Sequence, residues 1–204
     1  MQIRFECDSQ EAKAVLAQDP TLAPIFEKTR AVVFSLDQDL FMSLASTIIY
    51  QQLSGKVAAI IFQRLLDFFG GSITAEKLLA SDIEELRSLG VSFRKIEYLK
   101  SLAQETENGT VDLNRIDTLA DQEVIEMLIR IKGIGRWSAE MFLLFCLGRR
   151  NVFSSLDLGL RKALEKLYGR PISIDEASQL CEKWAPYKSI VTHFLWHFLE
   201  DKKA

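Results

Sequence analysis

Apolar residues recur at helical spacing along most of the chain. Phe41, Leu44, Ala45, Ile48 and Ile49 fall on one face of a 3.6-residue repeat, and Ser54 stands where an N-cap would open a second helix, Val57 to Phe69. Gly70-Gly71 ends that helix. Shorter helical patterns at 74–79 and 82–88 lead to a longer one at 93–107, closed by Asn108-Gly109. Asp121 is placed to cap a helix that runs into Lys132-Gly133-Ile134-Gly135. Further helices are expected near 136–147, 157–168, 174–185 and 187–200. Residues 1–30 open with a short extended piece, Gln2 to Glu6, and a helix around Ser9 to Ala17, which Pro20 and Pro24 break off. No segment alternates over strand length, so the expected class is all-α.

Composition narrows the setting. A chain of 204 residues, 48% hydrophobic, can bury a substantial core as one domain or two small lobes. No apolar run is long enough to span a bilayer, and MQIRFECDSQEAK lacks the parts of a secretory signal. The three cysteines (Cys7, Cys146, Cys181) are scattered, without metal-like spacing or an even-numbered disulfide framework, and read as reduced thiols of an intracellular protein. His193 and His197 lie four apart on a helical face, but Phe194 stands where a zinc-protease pattern has glutamate; with Leu195, Trp196 and Phe198 around them they read as packing residues, and no metal site is expected.

Charge changes the picture locally. Between Arg130 and Arg170 nine Lys or Arg face three acids, a net +6 inside a chain of net −3. One basic segment in an acidic protein points to a local polyanion site. That segment holds Lys132-Gly133-Ile134-Gly135, a tight turn between two helical patterns. The N–H groups of Gly135, Arg136 and Trp137 open the following helix and suit an anion, with Lys132, Arg136 and the Ser138 hydroxyl beside them. A phosphate fits this arrangement.

Four ordered stretches carry a family resemblance: FMSLASTIIYQQLSGKVAAIIFQRL (41–65), IKGIGRWSAEMF at the hairpin, VFSSLD ending at Asp157, and WAPYKSIVTHFLW (184–196). Together they resemble the helix-hairpin-helix (HhH-GPD) DNA glycosylases, in the branch of DNA-3-methyladenine glycosylase II. The resemblance implies a two-lobed helical fold with the active-site cleft between the lobes. Residues 37–130 would form one helical lobe, and 1–36 with 131–204 a second that carries the hairpin and the catalytic Asp157. All of 1–204 would be one glycosylase domain, too short for the extra N-terminal β-rich domain of some relatives.

The residues alone make Asp157 a helix cap, and the resemblance adds a catalytic role that capping does not exclude. A carboxylate there stabilises the oxocarbenium-like sugar as the glycosidic bond breaks and orients the attacking water. Relatives that also cut the backbone carry a lysine two positions after the second hairpin glycine; Trp137 stands there and cannot form the imine, so no lyase step is expected. Trp137, Tyr50, Trp184 and Tyr187, with Met141 as a soft wall, are the candidates for a pocket holding a flipped, cationic alkylpurine. Each also reads as a core side chain. In Gln51-Gln52-Leu53-Ser54, Gln52 or Leu53 would fill the gap left by the base, unless this is an ordinary interhelical turn with a Ser54 cap. Lys188, after Trp184 and Pro186, is a further phosphate candidate.

The implied activity is a monofunctional hydrolase that releases 3-methyladenine or 7-methylguanine from damaged double-stranded DNA in base excision repair, working as a monomer in the cytoplasm, nucleoid or nucleus. A glycosylase for oxidised or deaminated bases, and a non-catalytic DNA-binding module, stay open beside it. No cofactor is required. Three cysteines cannot supply the four-cysteine iron–sulfur cluster of some relatives, while a monovalent cation on hairpin carbonyls stays open. Two departures from the family pattern stand out: Lys132 where a proline usually precedes the first hairpin glycine, and Ser155-Leu156 before Asp157.

Overall fold

The computed structural model describes residues 1–200. Twelve α-helices appear among them, mostly where the apolar spacing places them. They are α1 (Gln10–Gln18), α2 (Ala23–Lys28), α3 (Leu40–Tyr50), α4 (Gly55–Phe68), α5 (Ala75–Ala80), α6 (Ile83–Ser88), α7 (Phe93–Glu107), α8 (Asp121–Leu128), α9 (Arg136–Phe145), α10 (Leu158–Tyr168), α11 (Ile174–Leu180) and α12 (Lys188–Glu200). Short polar side chains begin many of them. Ser9, Asp39, Ser54, Thr74, Asp82, Ser92, Asp157 and Ser173 each accept a backbone N–H of the first turn, satisfying a donor that the helix cannot. Asp121 is not such a cap: it is the first helical residue, and Glu123 instead accepts from the Ala120 N–H at 2.8 Å.

The class needs one amendment. A two-stranded antiparallel sheet pairs β1 (Gln2–Glu6) with β2 (Ala31–Ser35), Ile3 opposite Phe34 and Phe5 opposite Val32. The fold is mainly helical with this small sheet attached. β1 was expected as an extended piece; β2 was not, because Ala-Val-Val-Phe is apolar without alternation and carries no signal of its own. The stretch after α1 also differs. Pro20 opens a single 3-10 turn and Pro24 lies in the first turn of α2, where the missing N–H costs nothing.

The chain forms two compact units, Met1–Leu36 with Leu143–Ala204, and Asp37–Phe142. This boundary corrects the expected division at residue 131, since the hairpin packs with 37–142. The Lys132 N–H donates to Ser101 Oγ at 3.0 Å, and Gln51 Nε2 donates to the Gly133 carbonyl at 2.8 Å. The basic segment is thereby divided as well, net +2 over 130–142 and net +4 over 143–170.

The first unit is organised on α12. Ile190, Val191, Phe194 and Leu195 are fully buried in a core shared with Phe5, Phe26, Val32, Leu160 and Leu164. At its base sits a buried carboxylate, Asp19, which accepts from Trp184 Nε1 and Tyr168 Oη at 3.0 Å each and from Thr21. In the second unit α7 is central, packing on α3, α5 and α6 with Ile96, Leu99, Leu102 and Ala103 buried.

Candidate nucleic-acid and catalytic sites

Asp157 ends the loop before α10 and caps that helix, its Oδ1 accepting the Leu160 N–H at 2.8 Å. A second donor reaches the same oxygen: the indole Nε1 of Trp196, on α12, at 3.2 Å. Gly159 makes room for this approach, because a Cβ there would stand 3.1 Å from Asp157 Oδ1 and 3.5 Å from the Trp196 ring. Trp196 is held in turn by a stacked Phe145 (5.7 Å between centroids) and an edge-on His193 (5.5 Å). His193 stacks on Phe34 of β2 at 4.2 Å. His193 is buried, its Nε2 without a partner among the described residues, and burial followed by the nearby His197 pushes its pKa down to about 4. It is a packing residue, as its apolar neighbours in sequence suggest.

In the second unit the hairpin runs from the end of α8 to Arg136. Gly133 adopts φ +84°, and a Cβ there would lie 2.2 Å from the Tyr98 ring. The first glycine thus serves close packing against α7, not approach to a ligand. The second does leave open space, since nothing lies within 4 Å of a Cβ built at Gly135. The Ile134 side chain is buried, and Gly135, Arg136 and Trp137 are exposed at the start of α9. The hairpin cations have carboxylate partners: Lys132 pairs with Glu97 at 2.6 Å, which raises the lysine pKa, and Arg136 with Glu140 at 2.9 Å. Any phosphate bound here competes with those acids.

The turn Gln51-Gln52-Leu53 lies beside the hairpin in this unit. Gln52 has φ +55°, among the described residues a left-handed conformation otherwise taken by glycines. Gln52 and Leu53 are exposed, while Ser54 caps α4 through the Val57 N–H at 3.4 Å. A concavity of about 400 Å³ is walled by Gln52, Leu53, Arg94, Lys95, Tyr98 and Gly133. A larger one of about 870 Å³, between Asp39, Phe41 and Asn114, includes none of the candidate site residues.

Three candidates need correction. Trp184 is fully buried, edge-on to Phe153 and bonded to Asp19, so it cannot stack on a base. Ser138 is buried at 7% exposure, which removes its hydroxyl from the hairpin surface. Lys188 is 12% exposed and paired with Glu182 at 2.6 Å, so it is not an open phosphate contact. Tyr187 is half-buried against the first unit's core, and Met141 is half-buried on α9. Of the pocket candidates only Tyr50 and Trp137, each 41% exposed, present a substantial ring surface. None of the three cysteines is in a disulfide.

Gln51, Lys95 and Tyr98, which fix the turn and hairpin, were not legible in the sequence, and neither was the bond from Trp196 to Asp157. Each acts across at least 35 residues of chain, beyond any local pattern.

Residues 45–186, which include the hairpin and Asp157, match the model of the HhH-GPD superfamily base excision DNA repair protein. A DNA-3-methyladenine glycosylase of Saccharomyces cerevisiae is 31% identical over 89% of this chain and 76% of its own length. The crystal structure of a DNA-3-methyladenine glycosidase from Bacillus halodurans superposes with a TM-score of 0.91 at 37% identity, covering 98% of this chain and 93% of that one. A Schizosaccharomyces pombe 3-methyladenine DNA glycosylase, solved in complex with abasic DNA, gives 0.71 at 28% identity, over 93% and 91%. With its hairpin, its capping aspartate and these matches over most of its length, the chain belongs to the HhH-GPD superfamily of base excision DNA repair proteins.

Proposed function

We propose that this protein is a monofunctional DNA glycosylase that releases alkylated purines, of the 3-methyladenine and 7-methylguanine type, from double-stranded DNA. The observation that carries the reading is the doubly held Asp157 carboxylate, fixed by Leu160 N–H and Trp196 Nε1 in a chain that also bears the DNA-repair hairpin. The hairpin backbone and Arg136 would take a DNA phosphate, and the target base leaves the stack to become reachable. Gln52, or Leu53 beside it, fills the space the base vacates. Trp137 and Tyr50, with Met141, offer the flipped purine its apolar and cation–π contacts.

Alkylation leaves the purine cationic and already weakens the glycosidic bond, so no strong general acid is needed. As the bond breaks, positive charge grows on the deoxyribose, and Asp157 stabilises it while orienting water toward the anomeric carbon. Water adds there and loses a proton to solvent, the cationic purine departs neutral with the bonding electrons, and an abasic site is left. Trp137 occupies the position where lyase relatives use lysine, and an indole forms no imine, so the strand stays intact. A monovalent cation on the hairpin carbonyls would have to share the Gly133 carbonyl with Gln51 Nε2, which donates to it at 2.8 Å. The reading places the protein, as a monomer, wherever the cell keeps its DNA.

The test is release of methylated purines from alkylated duplex DNA by wild type and Asp157→Asn, with strand scission scored before and after alkali. Release by wild type alone, with breaks only after alkali, is the expected result. Release of oxidised or deaminated bases instead would move the substrate class, and DNA binding with no release of any base would leave a binding module.

A further inference from the structure

Three residues spaced by three along one face of α7 hold the two exposed segments of the second unit. Lys95 Nζ donates to the Ile49 carbonyl and, at 2.8 Å, to that of Gln51. These carbonyls end α3, where a helix leaves acceptors unmade and its dipole is negative. One turn on, the Tyr98 ring lies against Gly133, and one turn further Ser101 Oγ accepts the Lys132 N–H at 3.0 Å. The loop is closed by Gln51 Nε2, which donates to the Gly133 carbonyl at 2.8 Å. One helix face therefore anchors the end of α3 and the hairpin, and the Gln51 side chain ties the two together.

We propose that Lys95 and Gln51 are positioning residues for base release, holding the turn Gln51–Leu53 in register with the hairpin. The inference rests on the glycosylase reading and adds how the gap-filling segment is preset. Gln52 sits at φ +55°, a conformation a non-glycine residue keeps only when its surroundings impose it. The ammonium of Lys95 supplies that imposition through charge-assisted bonds, and a compact three-donor head suits two converging carbonyls. A duplex gripped at the hairpin then meets a side chain already set at a fixed offset, with no ordering left to do at the moment of flipping.

The experiment compares wild type with Lys95→Met, Lys95→Arg and Gln51→Ala. Three quantities are read: affinity for undamaged duplex, single-turnover release from alkylated duplex, and fluorescence of 2-aminopurine placed beside an abasic-site analogue. Thermal melts confirm that each variant is folded, and Gln51→Ala, which removes one half-exposed hydrogen bond, keeps the test available if Lys95→Met is unstable. Expected for Lys95→Met are near-wild-type affinity for undamaged duplex, release slower by about tenfold or more, and a reduced 2-aminopurine signal. Gln51→Ala should shift the same way by less, and Lys95→Arg should recover part of the loss. Release that falls only in step with affinity or folded fraction, or an unchanged 2-aminopurine signal, overturns the proposal. The fluorescence arm needs no excision. A wild type that releases no alkylated base yet shows a signal lost in Lys95→Met therefore refutes the substrate reading and upholds the positioning role.

Discussion

The indole N–H of Trp196 and the amide N–H of Leu160 converge on a single oxygen of Asp157, at 3.2 and 2.8 Å. One donor belongs to the helix that Asp157 caps and the other to a helix thirty residues later in the chain, α12. The carboxylate is therefore oriented from two sides. A helix cap and a charge stabiliser become one group.

Capping and chemistry separate by substitution. Asn caps a helix about as well as Asp, so Asp157→Asn should change stability by under about 0.5 kcal/mol, whereas Asp157→Ala should cost about 1 kcal/mol. Base release should be lost in both. Denaturant melts alongside a glycosylase assay check this, and an active Asp157→Asn would leave the carboxylate only its capping role.

The two hairpin glycines should respond unequally. An alanine at 133 meets the Tyr98 ring at 2.2 Å and an unfavourable φ, and should cost about 2–4 kcal/mol. Alanine at 135 meets nothing and should cost less than about 1 kcal/mol. Thermal unfolding of Gly133→Ala, with and without Tyr98→Ala, measures the clash, since removing the ring should return part of the loss.

Removing Lys132 and Arg136 together should lower the salt dependence of DNA binding by about two counterions. Glu97→Gln should act in the opposite direction, because it releases Lys132 from its carboxylate. Binding isotherms at several salt concentrations report both effects. An unchanged slope in the double variant would contradict the hairpin as a phosphate contact.

His193 predicts an acid-sensitive first unit. Its folded pKa, about 4, lies below the ordinary 6.5, so the unfolded chain binds the extra proton first. Stability is full above pH 6.5 and falls as pH drops from there toward 4, by about 3 kcal/mol at most. Asp19 adds a separate loss further down. Burial raises its pKa, but the bonds from Thr21, Trp184 and Tyr168 outweigh burial and hold it below 3.8. His193→Phe should remove the upper part of this acid profile and leave the lower part, read as melting temperature against pH.

The helices were largely legible because their signals are local. Apolar spacing and a short polar cap lie within a few residues of each other, as at Ser54 and α4 or Ser92 and α7. β2 was not, because a five-residue apolar run becomes a strand only when β1 pairs with it. That strand matters to the site: it carries Phe34, on which His193 stacks, and His193 and Phe145 hold Trp196 beside Asp157. Trp184 reads from the sequence both as a pocket candidate and as a core side chain, and tertiary structure chose the core: Asp19, 165 residues earlier, offers an acceptor for its buried N–H.

By itself the sequence determined the helical class, the hairpin with its two glycines, the absence of a lysine at Trp137, and Asp157 as cap and candidate carboxylate. The helices, the turn and the cap follow from residue type and short spacing, which fix backbone conformation, while the catalytic expectation for Asp157 and the meaning of the missing lysine follow from the family resemblance. Tertiary structure alone decided which aromatics stay exposed, that Lys132 and Arg136 face carboxylates, that the hairpin packs with 37–142, and that Lys95, Gln51 and Trp196 hold the segments expected to act. Burial, ion pairing and orientation depend on which distant side chains arrive at the same place, and no local pattern encodes that arrival.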